Sequence, residues 1–184
     1  MNVETIASAF LAAVTNTPEA IYCKTASGAL TYGQAAGAVQ TLSDELRADV
    51  EGRAVALILP NSSAFLIAYF ATLFAGGRPA LINHAHPEAT IQKLLGDLDA
   101  AIVLSDQSHV DHPTRILTDA LVDGLVKPLD LATLIDPGTG DDIAAIMYSG
   151  GTTGLPKQVP HTNAAVVGLM ERGDWGWRTG ADEI

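Results

Sequence analysis

Residues 148–157 read YSGGTTGLPK, a string of small and hydroxylated residues closed by Pro156 and Lys157. Gly150, Gly151 and Gly154 let a backbone turn tightly and bring its amides close to a ligand. Ser149, Thr152 and Thr153 add hydroxyl donors, and Lys157 adds a mobile point charge. Many donors and one cation suit the oxygens of a phosphate chain. A Walker A loop needs glycine directly before its lysine, and here Leu155 and Pro156 intervene. Pro156 also disfavours helical geometry at Leu155, so the loop should not run straight into a helix. The dinucleotide pattern G-x-G-x-x-G is absent as well. Taken alone, GGTTG is also what a glycine-rich surface turn without a ligand looks like.

The elements around this string set where it can act. IAAIMY (143–148) reads as a strand, which places the loop at a strand end, where open α/β sheets hold their ligands. Upstream, residues 3–14 suit an opening helix, and AIYCKT with the residues near Leu30 suit two strands joined at Ser27 and Gly28. Thr31 and Gln34 have the spacing of a capping box and introduce a helix through Leu42 and Leu46. AVALIL (54–59) is a continuous apolar run of the kind buried on both faces of a sheet. Asn61 or Ser62 then caps a helix that ends at Gly76 and Gly77 and is apolar nearly all round, so it should be deeply packed. Pro87 suits the first position of another helix, AAIVLS (100–105) reads as a further buried strand, and RILT (115–118) as a short one. Strands alternating with helices predict an α/β fold, a mainly parallel sheet with flanking helices, in one domain over residues 1–184.

Composition narrows the partners. The chain of 184 residues is 48% hydrophobic and carries a formal net charge of -11. That balance argues against non-specific nucleic-acid binding and against an anionic membrane surface, so any anionic ligand must be held by local geometry. The one cysteine, Cys23, excludes an internal disulfide framework and suits a reducing compartment; it reads as a small apolar strand residue. The amino terminus has no basic stretch before an apolar run, and the apolar run at 64–75 is too short to span a bilayer. A cytoplasmic location is expected.

The whole string YSGGTTGLPK resembles the phosphate-gripping signature of the adenylate-forming enzymes, the AMP-binding superfamily of acyl-CoA synthetases, luciferase-like enzymes and peptide-synthetase adenylation domains. LTYGQAA (30–36), VALILPNSSAFLIAYFATLFAGG (55–77) and LINHAHP (81–87) resemble further segments of that family, in the family's order. Three positions depart from the pattern. Gly150 stands where serine is commoner, Gln158 replaces the glycine after the lysine, and HTN (161–163) lacks a histidine often found there.

The resemblance implies an enzyme that joins a carboxylic acid, a fatty acid being one candidate, to ATP with Mg²⁺, forms an acyl-adenylate, and passes the acyl group to a thiol, coenzyme A first of all. Ser149, Gly150, Gly151, Thr152, Thr153, Gly154 and Lys157 would hold the phosphates, with Lys157, Thr152 and Thr153 acting on the reaction and no protein metal ligands assigned. The motifs for adenine, ribose, the acid and the mobile carboxyl-terminal domain lie beyond this loop in the family. The chain is therefore expected to be the amino-terminal part of the synthetase fold. The alternative is a non-catalytic nucleotide- or protein-binding remnant.

Other residues draw milder readings. His109, Asp111 and His112 lack the spacing of a zinc pair and read as polar loop residues. His84 and His86 suit surface roles, His161 stands nearer the loop and could touch substrate, and Trp175 and Trp177 suit packing. Part of the apolar helix at 64–75 is expected to lie bare and support self-association, with poor order from Glu171 onward. The 184-residue chain mixed with Mg-ATP and a panel of fatty and aryl acids is expected to release no pyrophosphate, because donors for phosphate alone cannot align a carboxylate for attack. Carboxylate-dependent release by a monodisperse monomer would overturn that expectation.

Overall fold

The computed structural model describes residues 4–25, 28–50, 52–109, 111–136, 138–150 and 155–171. In chain order the elements are α1 (Ile6–Asn16), β1 (Ile21–Thr25), β2 (Gly28–Thr31), α2 (Tyr32–Val50), β3 (Ala54–Ile58), α3 (Ser63–Phe74), β4 (Arg78–Leu81), α4 (Glu88–Leu98), β5 (Ala100–Ser105), β6 (Thr114–Ile116), α5 (Asp119–Leu125), β7 (Ile143–Tyr148), β8 (Gln158–Thr162) and α6 (Asn163–Glu171). A hairpin of β1 and β2 stands apart from a six-stranded sheet of order β6-β5-β3-β4-β7-β8. Every pair in the larger sheet is parallel except β7 with β8. The expected α/β fold with a mainly parallel sheet is what the chain forms.

Local chemistry explains the boundaries. The Thr31 amide donates to Gln34 Oε1 at 2.9 Å and the Gln34 amide to Thr31 Oγ1 at 3.2 Å, so the capping box starts α2 as its spacing requires. Ser62 caps α3 by accepting from the Phe65 amide, and Gly76, at φ 80°, supplies the left-handed turn that ends it. Pro87 sits one position earlier than expected, as the N-cap residue, with Glu88 opening α4.

Strand β3 is buried along its whole length and feeds two cores. Val55, Leu57 and Leu59 face a core with α1, α2, α3 and α5, whereas Ala54, Ala56 and Ile58 face Ile91, Leu94, Leu95 and Leu98 of α4. Each fully buried Leu or Ile contributes on the order of 1.5–3 kcal/mol. In the first core Phe10 stacks on Phe70 with ring centroids 4.3 Å apart, and Tyr22 meets Phe10 edge-on at 5.5 Å. Gly37 lets α2 pass the backbone of Lys127 so closely that a β-carbon there would lie 2.2 Å from its carbonyl oxygen.

The expectation that part of the helix at 64–75 lies bare is overturned. No residue of α3 is exposed, because its faces are taken by α1, α2, α5, β1 and the sheet. The exposed large apolar side chains lie elsewhere and include Met147, Val159, Leu169 and Met170. Cys23 is in a strand as expected but only half-buried, and burial pushes its thiol up. Among the described residues no helix is long and apolar enough to cross a membrane.

The Tyr69 hydroxyl donates to the Ala144 carbonyl at 3.1 Å, tying α3 to β7, and burial pushes its ionisation up to about 12. The folded state thus keeps this proton where the unfolded chain, near pH 10, begins to lose it. Its contribution to stability is complete below about pH 10 and is lost as pH rises toward about 12. Tyr69→Phe should lower stability at neutral pH by about 0.5–1.5 kcal/mol through the lost hydrogen bond. The same variant should also show a shallower alkaline decline in urea melts; an identical slope above about pH 10 would remove Tyr69 as its source.

Candidate functional site

In β7, Ala144, Ala145 and Ile146 are buried, and Tyr69 holds its backbone from α3. Because β7 runs parallel to β4, and β4 and β5 run parallel to β3, Tyr148 ends its strand on the same side as Ile58, Leu81 and Ser105. Helices α3 and α4, which follow β3 and β4, cover opposite faces of the sheet. The crevice outside the carboxyl ends of β3 and β4 is thus a switch point of the kind that holds ligands in open α/β sheets. The string 149–157 emerges beside it.

The structure brings the two ends of that string together. The Ser149 amide donates to the Lys157 carbonyl at 3.0 Å, and the Lys157 amide donates to Ser149 Oγ at 3.2 Å. Ser149 Oγ therefore accepts from the lysine backbone, and its own hydroxyl proton is given to no acceptor among the described residues. Pro156 leads into β8, so the loop returns as an antiparallel strand and does not enter a helix. Lys157 is exposed, and among the described residues it enters none of the ion pairs, which are Arg47–Asp44, Arg53–Asp99, His109–Glu88 and Arg115–Glu45. Gly151, Thr152, Thr153 and Gly154 lie outside the described residues. Gly150 is described, and a β-carbon there would meet nothing within 4 Å, so packing does not enforce glycine over serine at this position.

Where β7 and β8 meet α4 runs a groove lined by Leu94, Asp97, Tyr148, Leu155, Pro156, Lys157 and Gln158. Burial, and next the Asp97 carboxylate, push the Tyr148 hydroxyl up to about 12, so it stays a neutral donor at physiological pH. That hydroxyl is buried without a hydrogen-bond partner among the described residues.

The remaining candidates fall away from the loop. His161 pairs with Ala145 and Thr162 with Ile143, which puts His161 about 10 Å along the ladder from Tyr148 at roughly 3.4 Å per residue. Asn163 is buried; its amide group accepts from the Ile6 amide at 3.2 Å and donates to the Thr139 carbonyl at 3.0 Å. The residue at the end of HTN thus fastens α6 to α1 at the amino end of the sheet. His84 is exposed and His86 half-buried. Trp175 and Trp177 lie outside the described residues.

His109 lies in the loop between β5 and β6, as the sequence reading has it, but it is enclosed. Its side chain is 0% exposed, with Nε2 3.0 Å from Ser105 Oγ and Nδ1 3.4 Å from Glu88 Oε1. Serine, histidine and carboxylate follow the order of a nucleophilic triad, but Ser105 is also 0% exposed, so no substrate reaches it. The Gln92 amide and then His109 hold the Glu88 carboxyl below its usual range. Among the described residues no three metal-binding side chains are grouped.

Two contacts escaped sequence reasoning. Asp119 Oδ1 accepts from Ser63 Oγ at 2.6 Å and from the Ala64 amide at 2.9 Å, completing the cap of α3 from another element. Gln158 Nε2 donates to the Asp97 carbonyl at 3.2 Å. Neither leaves a local signal, because each joins residues distant in the chain.

A family model described as AMP-binding enzyme matches residues 10–183. The mitochondrial malonate–CoA ligase of Homo sapiens is 27% identical over 143 residues, covering 70% of this chain and 24% of that protein. Gramicidin S synthase 2 of Brevibacillus brevis is 31% identical over 172 residues, covering 91% of this chain and 4% of that protein. The Klebsiella oxytoca NpsA N-terminal subdomain, solved with anthranilyl-AMSN, superimposes with a TM-score of 0.71 at 21% identity over 88% of this chain and 42% of that one. The inhibitor-bound N-terminal domain of FACL13 from Mycobacterium tuberculosis gives 0.70 at 25% identity over 87% and 44%. The chain thus spans about a quarter of the human ligase and under half of these two solved structures.

Ser149→Ala removes the acceptor of the Lys157 amide, and exposed neutral hydrogen bonds are worth about 0.5–1.5 kcal/mol. Amide hydrogen exchange at Lys157 should quicken by roughly two- to tenfold while the β7–β8 ladder below keeps its protection. Unchanged exchange would show that Ser149 Oγ does not hold the loop's mouth.

Proposed function

The chain belongs to the AMP-binding enzyme family, and from that premise we propose that it is the amino-terminal part of an ATP-dependent acyl-CoA synthetase. The observation that carries this reading is the pairing of Ser149 with Lys157 at the carboxyl end of β7, which brings the two ends of the string together. In the proposed reaction a carboxylate oxygen attacks the α-phosphorus of ATP, the bond to the bridging oxygen breaks, and pyrophosphate leaves. A thiol sulfur, that of coenzyme A, then attacks the acyl carbon and AMP departs.

The part assigned to this chain is to receive the growing charge on pyrophosphate. Loop amides, the Ser149 hydroxyl, the Thr152 and Thr153 hydroxyls and the Lys157 ammonium are the proposed donors, with Gly150, Gly151 and Gly154 allowing close backbone approach. Donors fixed before the reaction stabilise such charge without reorganising. Mg²⁺ would arrive on the polyphosphate oxygens, since no described cluster of side chains is built to hold it. A reducing, cytoplasmic setting is the proposed location.

The likeness to gramicidin S synthase 2 favours a second reading, in which adenylation is kept and another thiol replaces coenzyme A. The acid-dependent adenylation step is common to both.

Lys157→Ala removes a charge-assisted contact worth roughly 1.5–3 kcal/mol, which corresponds to a tenfold to hundredfold loss. In the whole protein, ATP–pyrophosphate exchange at subsaturating ATP should fall by that factor. An unchanged rate would show that Lys157 faces away from the phosphates. Carboxylate-independent nucleotide binding with no exchange would leave a non-catalytic binding role in its place.

A further inference from the structure

The last turn of a helix ends in carbonyls that no helical amide can reach. In α4 one of these, the Asp97 carbonyl, accepts from Gln158 Nε2 at 3.2 Å. Gln158 pairs with Tyr148 across the β7–β8 ladder, and the Tyr148 ring packs against the core that α4 forms with the sheet. Both strands at the loop's mouth are thus held against one helix, β7 by a ring and β8 by a side-chain amide. One residue further along, the Ser149 amide and hydroxyl grip the backbone of Lys157. The adenylate-forming signature carries glycine where Gln158 stands, and glycine has no side chain with which to reach α4.

We propose that Gln158 is a positioning residue for Lys157, fixing the lysine backbone opposite Ser149 by clamping the start of β8 to the carboxyl-terminal turn of α4. This rests on the reading of residues 149–157 as a phosphate loop. Gln158 carries no charge, so its effect on an anion must pass through the placement of its neighbour. The clamp acts on the geometry at the one described cation of the loop, and as a single exposed hydrogen bond it is a small part of the whole fold's stability.

The test uses the full 184-residue chain and inorganic pyrophosphate as the probe, with affinities from calorimetry and folding midpoints from thermal melts. Gln158→Met, which keeps length but cannot donate, should weaken pyrophosphate binding about three- to tenfold with an unchanged midpoint. Gln158→Asn, a donor too short to reach α4, should behave alike and serves if Gln158→Met fails to fold. In a Lys157→Ala background Gln158→Met should cause no further loss, because residues acting through one another are not additive. Wild-type affinity in both Gln158 variants, or a loss that adds in full to that of Lys157→Ala, overturns the clamp while leaving the phosphate loop in place. A wild-type chain that does not bind pyrophosphate overturns the loop reading itself, and the clamp with it.

Discussion

Side chains leave β3 alternately into two apolar cores, and the rest of the molecule is arranged around that alternation. Valine and leucine on one face meet the larger helical layer, and two alanines and an isoleucine on the other make room for the leucines of α4. With helices against both faces, the middle of the sheet has no surface to offer a small molecule. What remains open is the row of strand ends. The parallel directions of β3, β4, β5 and β7 then put the loops that follow these strands on one side. The hydroxyl-rich string lies among them because its strand belongs to the parallel set.

The two ends of the sheet are built for different tasks. At the amino end, Asn163 bridges α1 and the 139 turn, Thr5 bonds Asp136, and the Asp142 carboxylate accepts from the Thr139 amide and hydroxyl. Polar groups there answer one another and hold α1, α6 and the approach to β7 together. At the carboxyl end, among the described residues, the Tyr148 hydroxyl has no hydrogen-bond partner and Lys157 no ion-pair partner. In a chain with a net charge of -11, a cation at that end stands against a net negative background.

Much of this was legible from local sequence. AVALIL and IAAIMY declare buried strands by composition, and Thr31 and Gln34 declare a helix start by spacing. The hidden parts are those whose signals are short or tertiary. QVPHT contains a proline and few apolar residues, so it carries no strand signal of its own; β8 forms because an edge position tolerates Pro160. The seven-residue helix α5 is too short for a periodic pattern to emerge. His109 looks like part of a polar cluster, and only the fold of β5 against the start of α4 shows its ring enclosed. The uniform apolarity of α3 correctly announced deep packing, yet composition could not say that neighbours within this chain would supply it.

The carboxylate of Asp119 gives α3 an unusual electrical character. A helix beginning at the carboxyl end of a parallel strand ordinarily presents bare amides and a partial positive pole, a ready landing place for anions. Here the chain has already spent that pole on its own acid: the Ala64 amide and Ser63 hydroxyl point at Asp119, and the Phe65 amide at Ser62. A negatively charged visitor near the start of α3 meets a neutralised terminus with a fixed negative group in front of it. The amino terminus of α3 is thereby occupied from within the chain, its first donors committed to Asp119 and Ser62 before any ligand arrives.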